Sequence, residues 1–415
     1  MDGGFPPYPR LLADTVRAAL ADTPVVCLLG PRQCGKSTLA QRLEPDRAYF
    51  TLDEDSYFRL ATQDPDGFVN RLPQNVILDE VQRAPGLLKS IKRVVDQQRT
   101  PGRFLLTGSA NLLLLPGVSD SLAGRMEIVQ LQPLVEAEKS RSFGDFLRTF
   151  LAGEFGTSLM LAEGGEVPDV VWRLLEGGYP EPLTRMPARA RQWHRQYVRS
   201  IIERDVQDIA KVKDARELGR LLELLSLRTG RLLNASSLSK ELGLHRVTVD
   251  HYLAVLERLF LVRQLPGWHR HSAKRLVKAP KIHLVDSGLA ATLANLSADD
   301  WLRRREDMGH LLESFVVQQV QAQAAWTDPD LRFWHYRDKD QVEVDLVITR
   351  GEKVWGIEVK ASRSVGGQDA KGLDRLAAQC GRDFQGGCVL YDGQEVMPVG
   401  GSRHLAIPLK KLWEM

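Results

Sequence analysis

The sequence is short of several things, and each shortage narrows what the chain can be. No apolar run approaches the roughly 20 residues that span a bilayer, so no membrane association is expected. The first residues, Met1-Asp2-Gly3-Gly4-Phe5-Pro6-Pro7, lack a basic stretch followed by an apolar core, so no secretory leader is expected. There are only four cysteines, at 27, 34, 380 and 388, and none is spaced as a metal ligand. Cys27 falls in an expected core strand and Cys34 in a glycine-rich loop, which suits reduced thiols in a cytoplasmic protein. Net charge is only +3, so charge arguments must be local. Internal repeats and low-complexity tracts are absent. What is left is an ordinary globular composition whose 415 residues make room for two to four domains.

The densest information lies at Gly30-Pro31-Arg32-Gln33-Cys34-Gly35-Lys36-Ser37, followed by Thr38. Two glycines five apart, then Lys and Ser, form the phosphate-binding loop pattern, whose backbone N–H groups wrap a triphosphate. Gly35 is expected to give the phosphates clearance and Gly30 to permit the turn out of the strand. Lys36 is expected to reach the outer phosphates and Ser37 to hold Mg²⁺. The apolar run Val25–Leu29 reads as the preceding buried strand, and Ser37–Leu43 as the following helix. Asn75–Glu80 reads as a second strand ending in two carboxylates, with Asp79 in the Mg²⁺ shell and Glu80 polarising the attacking water. Arg103–Asn111 gives a third strand whose end places Ser109 or Asn111 as a sensor of the terminal phosphate. Arg125, after Gly124, is either an arginine finger or a surface arginine.

Strand and helix signals alternate up to residue 135. Residues 136–212 are mainly helical, and Arg204 and Asp205 there either touch nucleotide or form a surface ion pair. Residues 213–285 have winged-helix spacing. Asn234 is placed to cap a helix that stops at Gly243, and Val249, Leu253, Leu256 and Phe260 recur along the next. His245, Arg246, Thr248 and His251 open that second helix, where a recognition helix meets DNA. The same face equally serves packing against a neighbouring domain. A basic run from Arg263 to Lys281, including Arg270, Lys274, Arg275 and Lys278, is either a solvated face or a phosphate-backbone contact.

Near the C-terminus, Val342–Ile348 and Val354–Lys360 alternate polar and apolar residues around Arg350-Gly351-Glu352-Lys353. Gly351 at the first central position specifies a type II′ hairpin in which Arg350 pairs with Lys353. Counting outward places Asp345 opposite Glu358 and Glu343 opposite Lys360. Two facing carboxylates need positive charge between them, and Mg²⁺ or Mn²⁺ is the expected source. Glu313, on an apolar helix upstream, either faces water or caps the same ion. Glu313, Asp345 and Glu358 as metal ligands, with Lys360 orienting water, form a constellation for phosphodiester hydrolysis.

Several segments resemble one family. They are Gly-Pro-Arg-Gln-x-Gly-Lys-Ser at 30–37, Leu-Asp-Glu at 78–80, Leu-Thr-Gly-Ser at 106–109 and Gly-Arg at 124–125. Further along come Gly-Gly-Tyr-Pro at 177–180, Glu-Arg-Asp at 203–205, Pro-Lys-Ile-His-Leu-Val-Asp-Ser-Gly-Leu at 280–289, Glu-Val-Asp at 343–345 and Ile-Glu-Val-Lys at 357–360. Together they resemble the prokaryotic AAA-type ATP-binding proteins with a C-terminal domain of the PD-(D/E)xK nuclease-like superfamily. The resemblance implies an α/β protein: a P-loop AAA-type ATPase core at 1–135, a helical lid-like region at 136–212, a winged helix at 213–285 and a nuclease-like α/β domain at 286–415. It implies ATP and Mg²⁺ as cofactors, with Mn²⁺ an alternative at the second site, and DNA as partner. A homo-oligomer follows if Arg125 acts in a neighbour's site. Cys34 departs from the small apolar residue usual before Gly-Lys. Two functions stay open: an ATPase coupled to a metal-dependent nuclease acting on DNA, or a nucleotide-switched protein whose C-terminal domain binds without cutting.

Overall fold

The computed structural model describes residues 8–109, 122, 124–157, 169–205, 214–270, 279–303, 305–401 and 403–415. Asn111, Lys274, Arg275 and Lys278 lie outside the described residues, as do the side chains of Arg204 and Asp205. The first sheet is built from β1 (Val25–Leu29), β2 (Ala48–Thr51), β3 (Val76–Asp79), β4 (Phe104–Gly108) and β5 (Met126–Gln130). All pairings are parallel, in the order β2-β3-β4-β1-β5. β1, β3 and β4 are buried along their whole length, as continuous apolar runs covered on both faces should be. One core lies on each face of this sheet. The order puts β4 between β1 and β3, so the C-terminal ends of all three meet at one edge, where ligands of such sheets bind.

A helical region follows, including Asp169–Glu176 and Pro187–Ser200. Then Ala215–Ser226, Ala235–Leu242 and Arg246–Arg258 interleave with β6 (Arg231–Leu232), β7 (Val262–Leu265) and β8 (Lys281–Leu284). These three strands form an antiparallel sheet with β8 in the centre. Asn234 caps its helix by accepting the Ser237 N–H at 3.0 Å, and Gly243 ends it at φ +69°, as the sequence predicts.

The last sheet contains β9 (Arg332–Arg337), β10 (Glu343–Arg350), β11 (Lys353–Lys360), β12 (Phe384–Tyr391), β13 (Met397–Pro398) and β14 (His404–Pro408), in the order β13-β14-β12-β11-β10-β9. The β10–β11 hairpin has the predicted register, with Arg350 opposite Lys353 and Leu346 opposite Ile357. Gly351 has φ +60° and Glu352 does not enter the left-handed region, which is the type II′ pattern. The helix Arg305–Thr327 lies on one face of this sheet and Lys371–Cys380 on the other. One hydrophobic core runs without a break from Phe146 to Trp413, joining the helical region, the three-stranded sheet and one face of the last sheet. No described helix is long and apolar enough to cross a membrane.

His194, on the helix Pro187–Ser200, is buried against Thr292, with Nδ1 and the hydroxyl 3.0 Å apart. Burial, and next the charge of Arg191, push its pKa down from 6.5 to about 4. The unfolded chain therefore binds the extra proton first, and stability is lost as pH falls from about 6.5 towards 4. His194→Gln is expected to flatten that part of a melting-temperature-against-pH profile. An unchanged slope would show that His194 is not the titrating group.

Candidate functional site

The nucleotide site grows from the ends of β1, β3 and β4. Gly35 adopts φ +100°, a conformation closed to most side chains. Gly30 has ordinary backbone angles, but a Cβ there would stand 2.1 Å from the Leu131 carbonyl oxygen. The two glycines thus exchange the roles read from the sequence: Gly35 makes the turn, and Gly30 makes room for the chain leaving β5. Lys36 is buried, and its Nζ donates to the Gly30 and Pro31 carbonyls at 3.1 and 2.8 Å. Pro31 and Cys34 are buried within the loop, whereas Gln33 and Thr38 face outward and Arg32 is half-buried.

Ser37 Oγ donates to Asp79 Oδ1 at 2.8 Å. Asp79 also accepts from Thr107, and from Tyr49 at 2.7 Å through Oδ2. This fixes a hydroxyl and a carboxylate oxygen within one coordination sphere, a hard-oxygen pair that fits Mg²⁺. Glu80 sits in the left-handed region at φ +59°, a strained setting of the kind found at functional sites. Its Oε2 is held by Gln82 and by Ser109, the latter at 3.0 Å. Ser109, read from the sequence as one of two candidate phosphate sensors, is thus bonded directly to the Glu80 carboxylate. The surrounding cavity of about 700 Å³, lined among others by Arg10, Arg17, Arg42, Arg141 and Glu181, is large enough for a nucleotide.

Arg10 was not identified from the sequence. It donates to the Cys34 carbonyl at 2.7 Å and the Gln132 carbonyl at 2.6 Å, and pairs with Glu138 at 3.1 Å. It ties the loop to the end of β5 from behind. Its partners lie 24 to 128 residues away, so no local pattern announces it.

Arg125 lies at the opposite edge of the sheet. It precedes β5, its carbonyl accepts from Val25 at the start of β1, and its side chain pairs with Asp96. The five residues of β1 separate it from the loop by about 13–16 Å. It does not act on the nucleotide site of its own subunit.

The second cluster lies where β10, β11 and the helix Arg305–Thr327 meet β8. Asp345 and Glu358 approach as the register requires, but the cation beside Asp345 is the Lys281 ammonium. Lys281 Nζ lies 2.7 Å from Glu313 Oε1, 3.2 Å from Asp345 Oδ1 and 3.6 Å from Glu343 Oε2. Asp345 Oδ2 accepts the Val359 N–H at 3.0 Å. Glu343 pairs with Arg337 at 2.9 Å instead of facing Lys360, and Lys360 donates to Glu358 Oε1 at 2.9 Å. Glu313 is buried, which rules out the water-facing alternative. Burial works against the charge on Lys281, but Glu313 and Asp345 outweigh it and hold the ammonium above its usual range. Burial, and next the charge of Asp345, push Glu358 up to about 8. A resident Mg²⁺ or Mn²⁺ does not fit this arrangement: Lys281 stands among the carboxylates, and no described group of three or more acidic, His or Cys side chains is placed to hold a metal.

Between the two sites runs a buried joint. The Gly178 N–H donates to Asp286 Oδ2 at 2.6 Å, and the Leu289 N–H donates to Oδ1 at 2.7 Å. The Gly178 carbonyl accepts the Leu134 N–H at 2.7 Å, just after β5. Beside it the hydroxyls of Tyr179 and Tyr197 meet at 3.0 Å, and Tyr197 donates to the Arg32 carbonyl of the phosphate loop at 3.0 Å.

Three family models match the chain. Residues 22–139 match an AAA domain, and residues 168–300 and 308–412 match two domains of unknown function, DUF8612 and DUF4143. An uncharacterized protein of Mycobacterium tuberculosis is 30% identical over 355 residues, covering 85% of this chain and 73% of that protein. An uncharacterized protein of Haemophilus influenzae is 24% identical over 239 residues, 56% of this chain and 55% of that one. Among solved structures, a Walker-type ATPase of Pyrococcus abyssi is 14% identical with a TM-score of 0.43, covering 68% of this chain and 94% of that one. With a complete phosphate loop and carboxylate pair inside the matched AAA segment, the chain carries an AAA-type ATPase domain and belongs to the same family as the mycobacterial protein.

Proposed function

We propose that ATP turnover in the N-terminal domain resets the C-terminal carboxylate site, and that this site acts on nucleic acid. The observation that carries the coupling is the joint: hydrogen bonds link the Arg32 carbonyl to Tyr197 and Tyr179, and the adjoining Gly178 N–H to Asp286, two residues past the strand that bears Lys281. In the nucleotide site, Gly30 to Thr38 would wrap the phosphates, Ser37 and Asp79 would hold Mg²⁺, and Glu80, steadied by Gln82 and Ser109, would orient water. Bound Mg²⁺ supplies charge neutralisation at the phosphates. Arg125, facing away from its own site, would serve a neighbouring subunit of a homo-oligomer. The helix Arg246–Arg258 and its three-stranded sheet support a winged-helix reading. His245, Arg246 and His251 are exposed at its start, where DNA would be met.

Cutting of DNA is favoured by one feature: Glu358 Oε2 is buried without a hydrogen-bond partner, an acceptor that a cation would satisfy if Lys281 moved aside. Binding without cutting is favoured by Lys281, which already neutralises Glu313 and Asp345. The deciding experiment is cleavage of single- and double-stranded DNA with Mg²⁺ or Mn²⁺, with and without ATP, beside Asp345→Ala. Nucleotide-dependent cleavage lost in the variant supports the nuclease. ATP hydrolysis without cleavage supports the switch.

The joint makes a separate prediction. Tyr197→Phe keeps the ring stacked on Trp193, with centroids 5.0 Å apart, but removes the hydrogen bond to the loop. One such bond contributes about 1 kcal/mol, so KM for ATP is expected to rise roughly fivefold, beside a stability loss of about 1–2 kcal/mol because the Tyr179 hydroxyl also loses its partner. An unaltered KM would disconnect the joint from the nucleotide.

A further inference from the structure

Lys281 belongs to the central strand of one sheet yet ends among the carboxylates of another. β8 pairs with β6 and β7, whereas Glu343 and Asp345 lie on β10 and Glu313 on a helix. A buried ammonium costs several kcal/mol unless carboxylates surround it. Here the Lys281 side chain is 4% exposed and reaches two of them within 3.2 Å and a third at 3.6 Å. A divalent ion takes carboxylate oxygens at about 2.0–2.6 Å, so it would need the volume that Nζ fills. One acceptor of the site is left unsatisfied. Lys281, Arg337 and Lys360 pair with Glu313, Asp345, Glu343 and Glu358, while Glu358 Oε2 is buried without a hydrogen-bond partner.

We propose that Lys281 is a tethered internal cation that closes the Glu313–Asp345–Glu358 cluster to divalent metal, so that the site opens only when the lysine leaves it. This rests on the reading of the cluster as a cation site. The β8 strand that carries Lys281 runs directly to Asp286 and the joint, which gives the ATPase half a handle on the closure.

Mn²⁺ titration of the nucleotide-free full chain, followed by electron paramagnetic resonance, tests it. Lys281→Met is expected to bind one Mn²⁺ roughly a hundredfold more tightly than the parent chain, since a unit charge is removed from contact distance. Adding Asp345→Asn is expected to abolish the gain. Should Lys281→Met fail to fold, Lys281→Met with Glu343→Gln restores the charge count and spares Glu313, Asp345 and Glu358. Equal, Asp345-dependent Mn²⁺ binding by the parent and by Lys281→Met would overturn the closure while keeping the cation site. Folded Lys281→Met protein that binds no Mn²⁺ would overturn the cation site itself.

Discussion

Lys36→Ala is expected to reduce ATP hydrolysis at least about a hundredfold, to the background of a phosphate-release assay. The lysine is already aimed: its ammonium is buried and held by the two carbonyls that open the loop. A charge positioned before the reaction contributes about 3–4 kcal/mol to a developing anion, a factor of several hundred in rate. The substitution also strips those carbonyls of their donor, so the apo protein should lose about 1–2 kcal/mol of stability. Melting curves beside the rate measurement separate these effects. A variant that melts like the parent and still turns over within tenfold of it would remove Lys36 from the catalytic machinery, and with it the assignment of the loop.

Asp286→Ala is expected to lower unfolding stability by about 2–4 kcal/mol, a large share of the 5–15 kcal/mol usual for a domain. Two buried N–H groups, of Gly178 and Leu289, lose their acceptor, and each unsatisfied group costs about 1–3 kcal/mol. Part is recovered. Burial holds the Asp286 carboxyl above the normal range despite those donors, so removing it relieves a desolvation penalty. Asp286→Asn, which keeps an oxygen acceptor but adds donors, should fall between. Urea midpoints at fixed pH measure the series. If Asp286→Ala unfolds at the parent's midpoint, the joint is not a structural element.

The parts legible in the sequence were those whose signal is local. The phosphate loop, the carboxylates ending β3, the Asn234 cap and the β10–β11 register each depend on residues within a few positions of one another, and each stands where expected. The opposition of Asp345 and Glu358 was readable because a two-residue turn fixes every pair outward from it. The identity of the cation beside Asp345 was not. Lys281 sat in a basic run that suggested solvent or DNA, and only the packing of β8 across the other sheet turns it inward. Arg10 and Tyr197 escaped for the same reason, since their partners are distant in sequence and several are backbone carbonyls, which carry no sequence signature. Arg125 was visible as a residue but not as a position. Its place at the far edge follows from the direction of β5, which is a property of the sheet.

The unbroken core from Phe146 to Trp413 bears on how such proteins diversify. The two cores of the ATPase sheet draw on residues 12–131 and Phe260, while the helical region, the three-stranded sheet and one face of the last sheet share one interior. Recombination between relatives near residue 140 would exchange a motor with its two main cores nearly whole, cutting off Phe260 and dividing the small cluster of Val135 and Ala137 with Ala322. A crossover near residue 300 would place two separately evolved halves of one interior against each other, with Leu289 from one parent and Phe315 from the other in a single core. The family models divide the chain at both points, but inheritance should respect the first.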